Sequence, residues 1–104
     1  MTPFVRIATE FGTDLSSRQC AAELRVGITA QTAAGISPVT LDFEGVRTLS
    51  DSFADDAIAV LVADHGADWF KQNVRLVNLS PSVRLSVLEA VHERCGNKVL
   101  AGDR

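Results

Sequence analysis

Hydrophobic residues follow two periods along this chain, and the two periods alternate from one segment to the next. Over residues 39–43, Val, Leu and Phe alternate with polar residues, which predicts a strand with one buried face. Short runs rich in β-branched residues predict further strands over 4–8 and 74–79, and a last short strand over 98–100. The sequence therefore predicts about four strands.

Between these strands, apolar residues recur at helical spacing and polar residues mark the helix ends. Ser16, with Gln19 three residues later, matches a capping box that opens a first helix, and this helix is expected to end near Gly35. Ser52 is predicted to be the N-cap of a second helix, which is buried over a wide arc and stops at Gly66.

A third helix is predicted to begin at Ser80–Pro81, where the serine caps and the proline fills the first turn, and to run to about Cys95. Its inward face is predicted to hold Val83, Val87, Leu88, Val91 and Cys95. Strands that alternate with about three helices require crossover connections. We therefore expect an α/β fold, with helices packed on a mostly parallel or mixed sheet.

The composition indicates the number of domains and argues against some classes of partner. The 104 residues are 46% apolar and 22% charged with a net charge of −3, which suits one domain over residues 1–104. An acidic balance without a basic stripe argues against binding to nucleic acid or to an anionic membrane. The aliphatic run 57–63 is too short to span a bilayer, and the N-terminus shows no signal-peptide pattern, which predicts a cytoplasmic location.

Motifs for catalysis and for cofactor binding are missing from the sequence. It contains no glycine-rich dinucleotide loop, phosphate-binding loop, nucleophile elbow or His-Glu-x-x-His helix, so we expect neither an enzyme nor a bound cofactor. His92 and Cys95 lie one helical turn apart, but only Cys20 and His65 remain to complete a metal site. We therefore expect no metal and two reduced thiols.

The segment 39–55 is the most informative part of the chain. It joins a Val-x-x-Asp-Phe strand, a turn that contains Val46, and the run Ser-x-Ser-Phe-Ala over 50–54. This segment resembles the core of a STAS domain, and it is most similar to the STAS-like family of uncharacterised bacterial domains. The resemblance also includes the stretch 12–18 and the strand and helix start over 74–81.

The resemblance implies a function in bacterial signalling. STAS proteins of the anti-sigma-factor-antagonist type bind an ATPase-fold serine kinase that is also an anti-sigma factor, and the kinase phosphorylates the serine of an Asp-Ser pair. In this sequence the pair is Asp51 and Ser52, with Ser50 as a neighbouring phosphoacceptor. The implied partner-binding residues are Arg47, Asp51, Ser52, Asp55 and Asp56.

The sequence also departs from the pattern of phosphorylatable STAS domains, which continue Asp-Ser-Ser-Gly, because Ser52 is followed here by Phe53. A phosphate on Ser52 is expected to be repelled by Asp51, Asp55 and Asp56 if they lie close. Two alternatives therefore stay open. In the first alternative, Ser52 is only a helix cap. In the second, the strand ends bind a small ligand or nucleotide, and the domain is a sensor.

Two other sites in the sequence, Asp42 and the pair Trp69 and Phe70, can each be interpreted as functional or as structural. Asp42, near the end of its predicted strand, is expected to be held by backbone N–H groups or by an arginine such as Arg47 or Arg75. Trp69 and Phe70 are predicted in a short turn that covers the edge of the core, with contact to a partner as the alternative.

Overall fold

The structure, a computed structural model, describes residues 4–96 and alternates short strands with helices. The strands are β1 (Phe4–Arg6), β2 (Asp14–Leu15), β3 (Val39–Asp42), β4 (Thr48–Leu49) and β5 (Val74–Val77). The helices are α1 (Ile7–Phe11), α2 (Arg18–Ala33), α3 (Asp51–Ala54), α4 (Val60–His65), α5 (Ala67–Asn73) and α6 (Pro81–Cys95), and the π-helical turn Asp55–Ala59 joins α3 to α4. The strand predicted over 98–100 lies outside the described residues.

Parallel pairing organises both sheets. The larger sheet has the order β1-β3-β5, and β2 pairs with β4 in a separate two-stranded sheet; every pair is parallel. Parallel neighbours need crossover connections, and helices supply them here. The predicted α/β class with a mostly parallel sheet is therefore confirmed.

One face of the larger sheet forms the floor of the hydrophobic core. The row Val5, Leu41 and Leu76 lies in register across the three strands and belongs to the core or packs against it. The preceding row begins with Phe4 and ends with Arg75, and both of these residues are exposed. The helices consequently pack on one face, with Leu24, Ile28, Phe53, Ile58 and Val83 among the buried residues that they contribute.

The first element is shorter than its pattern predicts. The strand predicted over 4–8 stops at Arg6, and a helical turn begins at Ile7. Because Ile7 and Phe11 are four residues apart, a helix places both on the same side, where Ile7 is buried and Phe11 packs against the core. Alternation over five residues did not distinguish this turn from a longer strand.

The caps and faces of the long helices agree with the sequence in part. Ser80 caps α6 as predicted, since its hydroxyl accepts a hydrogen bond from the N–H of Val83. At the start of α2 the cap is Ser17, one residue after the predicted Ser16. The prediction that Leu88 faces inward is wrong: its side chain is 47% exposed, because the face of α6 that packs on the core includes Ala90 instead.

Helix α5 was not expected, since only a short turn was predicted around Trp69 and Phe70. Gly66 ends α4 as predicted, with a φ of 97° that favours glycine, and the chain then starts a new helix at once. The amide of Asn73 donates a hydrogen bond to the Trp69 carbonyl and closes the last turn. Both aromatic side chains pack against the core, as the structural interpretation predicted.

Candidate functional site

The predicted phosphoacceptor segment begins directly after β4, and parallel pairing with β2 fixes its position. Leu15 lies opposite Leu49, and both side chains are buried. The N–H of Ser50 then donates to the Leu15 carbonyl at 2.8 Å, so the pairing extends one residue beyond β4. Helix α3 starts at the next residue, and Ser50 is therefore held at the junction of strand and helix.

Ser50, not Ser52, is the N-cap of this helix, and the predicted cap was wrong by two residues. The backbone of Ser50 is extended, with φ −71° and ψ 159°, and its Oγ accepts a hydrogen bond from the N–H of Phe53 at 3.1 Å. Phe53 is fully buried, so the bond lies directly above the core. The position of the helix start follows from β4, because the strand ends at Leu49 and leaves Ser50 as the first residue free to cap.

Ser52 lies inside the first helical turn with a half-buried side chain. Its Oγ is 3.2 Å from the Oγ of Ser50, and the two hydroxyls share one hydrogen bond. The capping bond uses a lone pair of Ser50, whereas no backbone N–H of residues 4–96 donates to the Ser52 hydroxyl. The bond that caps the helix therefore does not involve Ser52.

Asp55 forms the ion pair with the shortest contacts of the site, with an arginine near the end of α6. Its Oδ1 lies 2.6 Å from Arg94 Nε and its Oδ2 lies 2.7 Å from Arg94 Nη2, a bidentate geometry. These hydrogen bonds lower the pKa of the Asp55 carboxyl, although partial burial acts in the opposite direction. The same contact raises the pKa of Arg94.

Asp56 turns to the opposite side and contacts α2. Its Oδ2 lies 3.1 Å from Arg18 Nη1, and its carbonyl accepts a hydrogen bond from the guanidinium of Arg25. Consecutive residues of a helix are separated by about 100° around the axis. Asp55 and Asp56 therefore connect one segment to two different helices.

The π-helical turn Asp55–Ala59 places both aspartates. The N–H of Val60 donates to the Asp55 carbonyl, five residues back, so this segment contains one more residue than a regular turn. Ala57, Ile58 and Ala59 fill the core side of the turn and are buried. Such turns occur frequently at functional sites, and here the turn follows Ser52 by three residues.

Ser52 lies in an open cleft of about 530 Å³ at the surface. The lining residues are Arg18, Asp51, Ser52, Asp55, Glu93 and Arg94. The structure thus brings three of the predicted site residues together, with Ser50 beside them and Asp56 attached through Arg18. Arg47 is not among the lining residues, because it precedes β4 and pairs with Asp14 at 3.0 Å.

Arg18, Glu93 and Arg94 were missing from the sequence interpretation of the site. Arg18 lies 38 positions before its partner Asp56, and Arg94 lies 39 positions after Asp55. No local motif indicates such distant pairs. Both helices were predicted, but nothing local in the sequence indicates that they pack beside Ser52.

The other candidate residues have structural partners. Asp42 accepts hydrogen bonds from the Asn78 amide at 2.9 Å and from the Glu44 N–H at 3.0 Å, and these bonds lower its pKa. The predicted backbone partner is confirmed, whereas the side-chain partner is an asparagine instead of the expected arginine. His65 lies in the last turn of α4 and stacks on Trp69 with ring centroids 4.0 Å apart.

Metal ligands do not cluster in the part of the chain that the structure describes. Among residues 4–96, no three His, Cys, Asp or Glu side chains are placed to hold an ion. Cys20 and Cys95 are free and half-buried, and burial raises the pKa of the Cys95 thiol. None of the described helices has the length and hydrophobicity that a bilayer span requires.

Comparison with known proteins agrees with the resemblance seen in the sequence. No curated protein and no solved structure matches the chain. A family model described as the STAS-like domain of unknown function (DUF4325) matches residues 21–84, which include most of α2, the strand β3 and the segment 39–55 that contains Ser52. This match covers more than half of the chain, which therefore belongs to the family of STAS-like domains.

Proposed function

We propose that this STAS-like domain is a non-catalytic protein-interaction module of bacterial signalling, similar to an anti-sigma-factor antagonist. It docks on an ATPase-fold serine kinase through residues 44–56, and the kinase phosphorylates Ser52. The unmodified domain binds its partner, and the phosphorylated domain is released. The observation that carries the proposal is that Ser52 lines an open surface cleft while Ser50 does the capping.

The different hydrogen bonds of the two serines support Ser52 as the residue that accepts the phosphate. The Ser50 oxygen is engaged by the N–H of Phe53, so its modification disturbs the start of the helix. The Ser52 oxygen contacts only another hydroxyl among the hydrogen bonds of the described residues, and its side chain is half-buried. A kinase that approaches the cleft therefore meets Ser52 without having to open the cap.

The chemical step is a phosphoryl transfer from a nucleoside triphosphate held by the partner. The Oγ of Ser52 forms a bond to the γ-phosphorus, and the bond between that phosphorus and the oxygen bridging to the β-phosphate breaks. The hydroxyl proton passes to a base of the kinase, and a nucleoside diphosphate leaves. This domain supplies only the acceptor oxygen.

The charge added by the phosphate supports release of the partner. A phosphoserine carries about −1.5 to −2 charge at neutral pH. Ser52 shares its cleft with the carboxylates of Asp51, Asp55 and Glu93 and with the guanidiniums of Arg18 and Arg94, so the phosphate adds its charge to a surface that is already slightly acidic. A partner surface that fits the neutral hydroxyl then meets a phosphate. Binding has to remove water from this charge or is opposed by repulsion.

The experiment follows phosphate and partner in the same sample. Tagged protein is incubated with a lysate of the native host and Mg-ATP, and a parallel sample receives a non-hydrolysable ATP analogue. Trypsin releases residues 48–71 as one peptide, which holds Ser50 and Ser52, and residues 76–84 as another, which holds Ser80 and Ser82. Fragmentation of both peptides locates the phosphate.

We expect phosphate on Ser52 with ATP, none on the control peptide 76–84, and loss of a bound ATPase-fold protein as the phosphate appears. The variant Ser50→Ala is expected to be modified, and Ser52→Ala is not. Phosphate on Ser50 alone, or a partner that stays bound to the fully phosphorylated domain, contradicts the proposal. A domain that gains neither phosphate nor partner, but is stabilised by a small molecule, supports the sensor alternative instead.

A further inference from the structure

Arg94 has unused hydrogen-bonding capacity beside Ser52. Its pair with Asp55 uses one N–H on Nε and one on Nη2. A guanidinium carries five N–H donors, so three are not used in the hydrogen bonds of residues 4–96, and the side chain is 42% exposed and lines the cleft. Arg94 can therefore begin to bind a second anion in the cleft before it leaves Asp55.

Ser52 and Asp55 are placed to compete for the same arginine. They are three residues apart at the start of one helix, so their side chains lie on the same face, and both line the cleft. A phosphate dianion presents three acceptor oxygens and more charge than a carboxylate, and guanidinium binds it with the same fork geometry. A phosphate on Ser52 is consequently the stronger of the two acceptors.

The other charges of the cleft determine how strongly the phosphate depends on Arg94. The cations that line the cleft are Arg18 and Arg94, and the carboxylates that line it are Asp51, Asp55 and Glu93; Asp56 pairs with Arg18 beside it. Arg18 is engaged by Asp56 from the side of α2. With the carboxylates in excess, a phosphate without a guanidinium contact would be strongly disfavoured in its dianionic form.

We propose that phosphoserine 52 takes Arg94 from Asp55, so that the modification is transmitted from the start of α3 to the end of α6. This inference rests on the proposed function, because it assumes phosphate at Ser52. The exchange frees the Asp55 carboxylate in the π-helical turn and connects α6 to the phosphate. The partner then meets a rearranged ion pair as well as the added charge of the phosphate.

The test uses protein with phosphoserine incorporated at position 52 during synthesis, so no kinase is needed. A ³¹P NMR titration of the full chain gives the second pKa of the phosphate, which is about 6 for an unperturbed phosphoserine. We expect a value about one unit lower in the folded protein, and a value of about 6 or above in Arg94→Met, because the carboxylates then act on the phosphate without the guanidinium. The matched control is Arg84→Met, an exposed arginine on the same helix.

A second signal avoids any dependence on the variant's folding. The Nε–H resonance of Arg94 in the unsubstituted protein is expected to shift on phosphorylation, as its partner changes from Asp55 to phosphate. A phosphate pKa that is the same with and without Arg94, or an unmoved Nε–H resonance, overturns the exchange. If the exchange is found but no kinase of the host modifies Ser52, then the proposed function fails while the Arg94 contact stands.

Discussion

The starts of α3 and α6 share one local geometry and differ in what surrounds it. In both, a serine Oγ accepts a hydrogen bond from the N–H three residues later, at 3.1 and 3.3 Å. In both, a second serine hydroxyl two residues along lies close to the first, at 3.2 and 3.4 Å. The pairs are Ser50 with Ser52, and Ser80 with Ser82.

Their surroundings separate the two pairs. Ser52 is half-buried in a cleft to which α2 contributes Arg18 and α6 contributes Arg94, whereas Ser82 is exposed and follows a proline. The Ser-x-Ser motif alone therefore reports a helix start, and it does not distinguish a structural serine from a candidate regulatory one. The distinction comes from charged residues that only the tertiary fold brings near.

The largest expected effect concerns the buried residue beneath each cap. Phe53→Ala removes a fully buried ring from between the helices, and we expect a loss of about 3–5 kcal/mol in the free energy of unfolding. The corresponding change Val83→Ala removes only two carbons and is expected to cost about 2 kcal/mol. Urea denaturation of both variants checks this order, and a larger loss for Val83→Ala would show that Phe53 is not the main anchor.

The second prediction separates the two serines by partner binding. Ser52→Asp is expected to weaken binding of the proposed kinase partner at least about tenfold, which corresponds to about 1.4 kcal/mol, because it adds charge to the cleft. Ser82→Asp adds the same charge at the other helix start and is expected to leave the affinity unchanged. Titration calorimetry with the captured partner measures both.

Ser52→Ala provides the neutral control for this comparison and is expected to bind as well as the unsubstituted domain. Equal affinities of Ser52→Asp and Ser52→Ala contradict the switch. Weakening by Ser82→Asp to the same extent indicates that net charge, rather than the cleft, governs the contact.

The comparison also shows which features the sequence could predict. The start of α6 was predicted in full, since Ser80, Pro81 and the apolar spacing are all local signals. The start of α3 was predicted two residues late, because β4 is only two residues long and leaves no periodic pattern. The parallel pair β2-β4 fixes that start, and pairing across 34 positions is not visible in a local window.

The prediction of the candidate site was limited in the same way, because it included only residues that are close to the motif in the sequence. Asp51, Ser52 and Asp55 are contiguous with the motif, and the structure places them in one cleft. Arg94 comes from a distant helix, so the sequence argument counted the carboxylates around Ser52 without the guanidinium that pairs with one of them. The expected repulsion of a phosphate therefore took account of the aspartates and left out the arginines that the fold brings beside them.

The third prediction tests which serine is the cap. Ser50→Ala removes the acceptor of the Phe53 N–H and is expected to lower the free energy of unfolding by about 1 kcal/mol. Ser52→Ala removes only a bond between hydroxyls and is expected to cost less than about half as much. Ser80→Ala and Ser82→Ala form the parallel pair in α6, and thermal unfolding of the four variants should show the same order twice. A greater loss for Ser52→Ala than for Ser50→Ala would restore Ser52 as the cap.

The smallest expected effect is the pH dependence that Asp55 adds at one helix start only. Because Arg94 lowers the pKa of Asp55 in the folded protein below the ordinary value of 3.8, the pair stabilises the fold above that pH. This contribution is lost as the pH falls through the lower folded-state pKa. For an exposed pair we expect about 0.5 kcal/mol.

The measurement is the difference in free energy of unfolding between the unsubstituted domain and Asp55→Asn, taken at pH 7 and at pH 2.5. The other carboxylates, such as Asp14 and Asp42, titrate in both proteins and cancel in the difference. We expect the difference to shrink at low pH, while the difference for Ser82→Ala stays constant, since residues 4–96 form no such pair at the start of α6. A constant difference for Asp55→Asn would mean that Arg94 is not held beside Ser52, and the charge contrast between the two helix starts would then disappear.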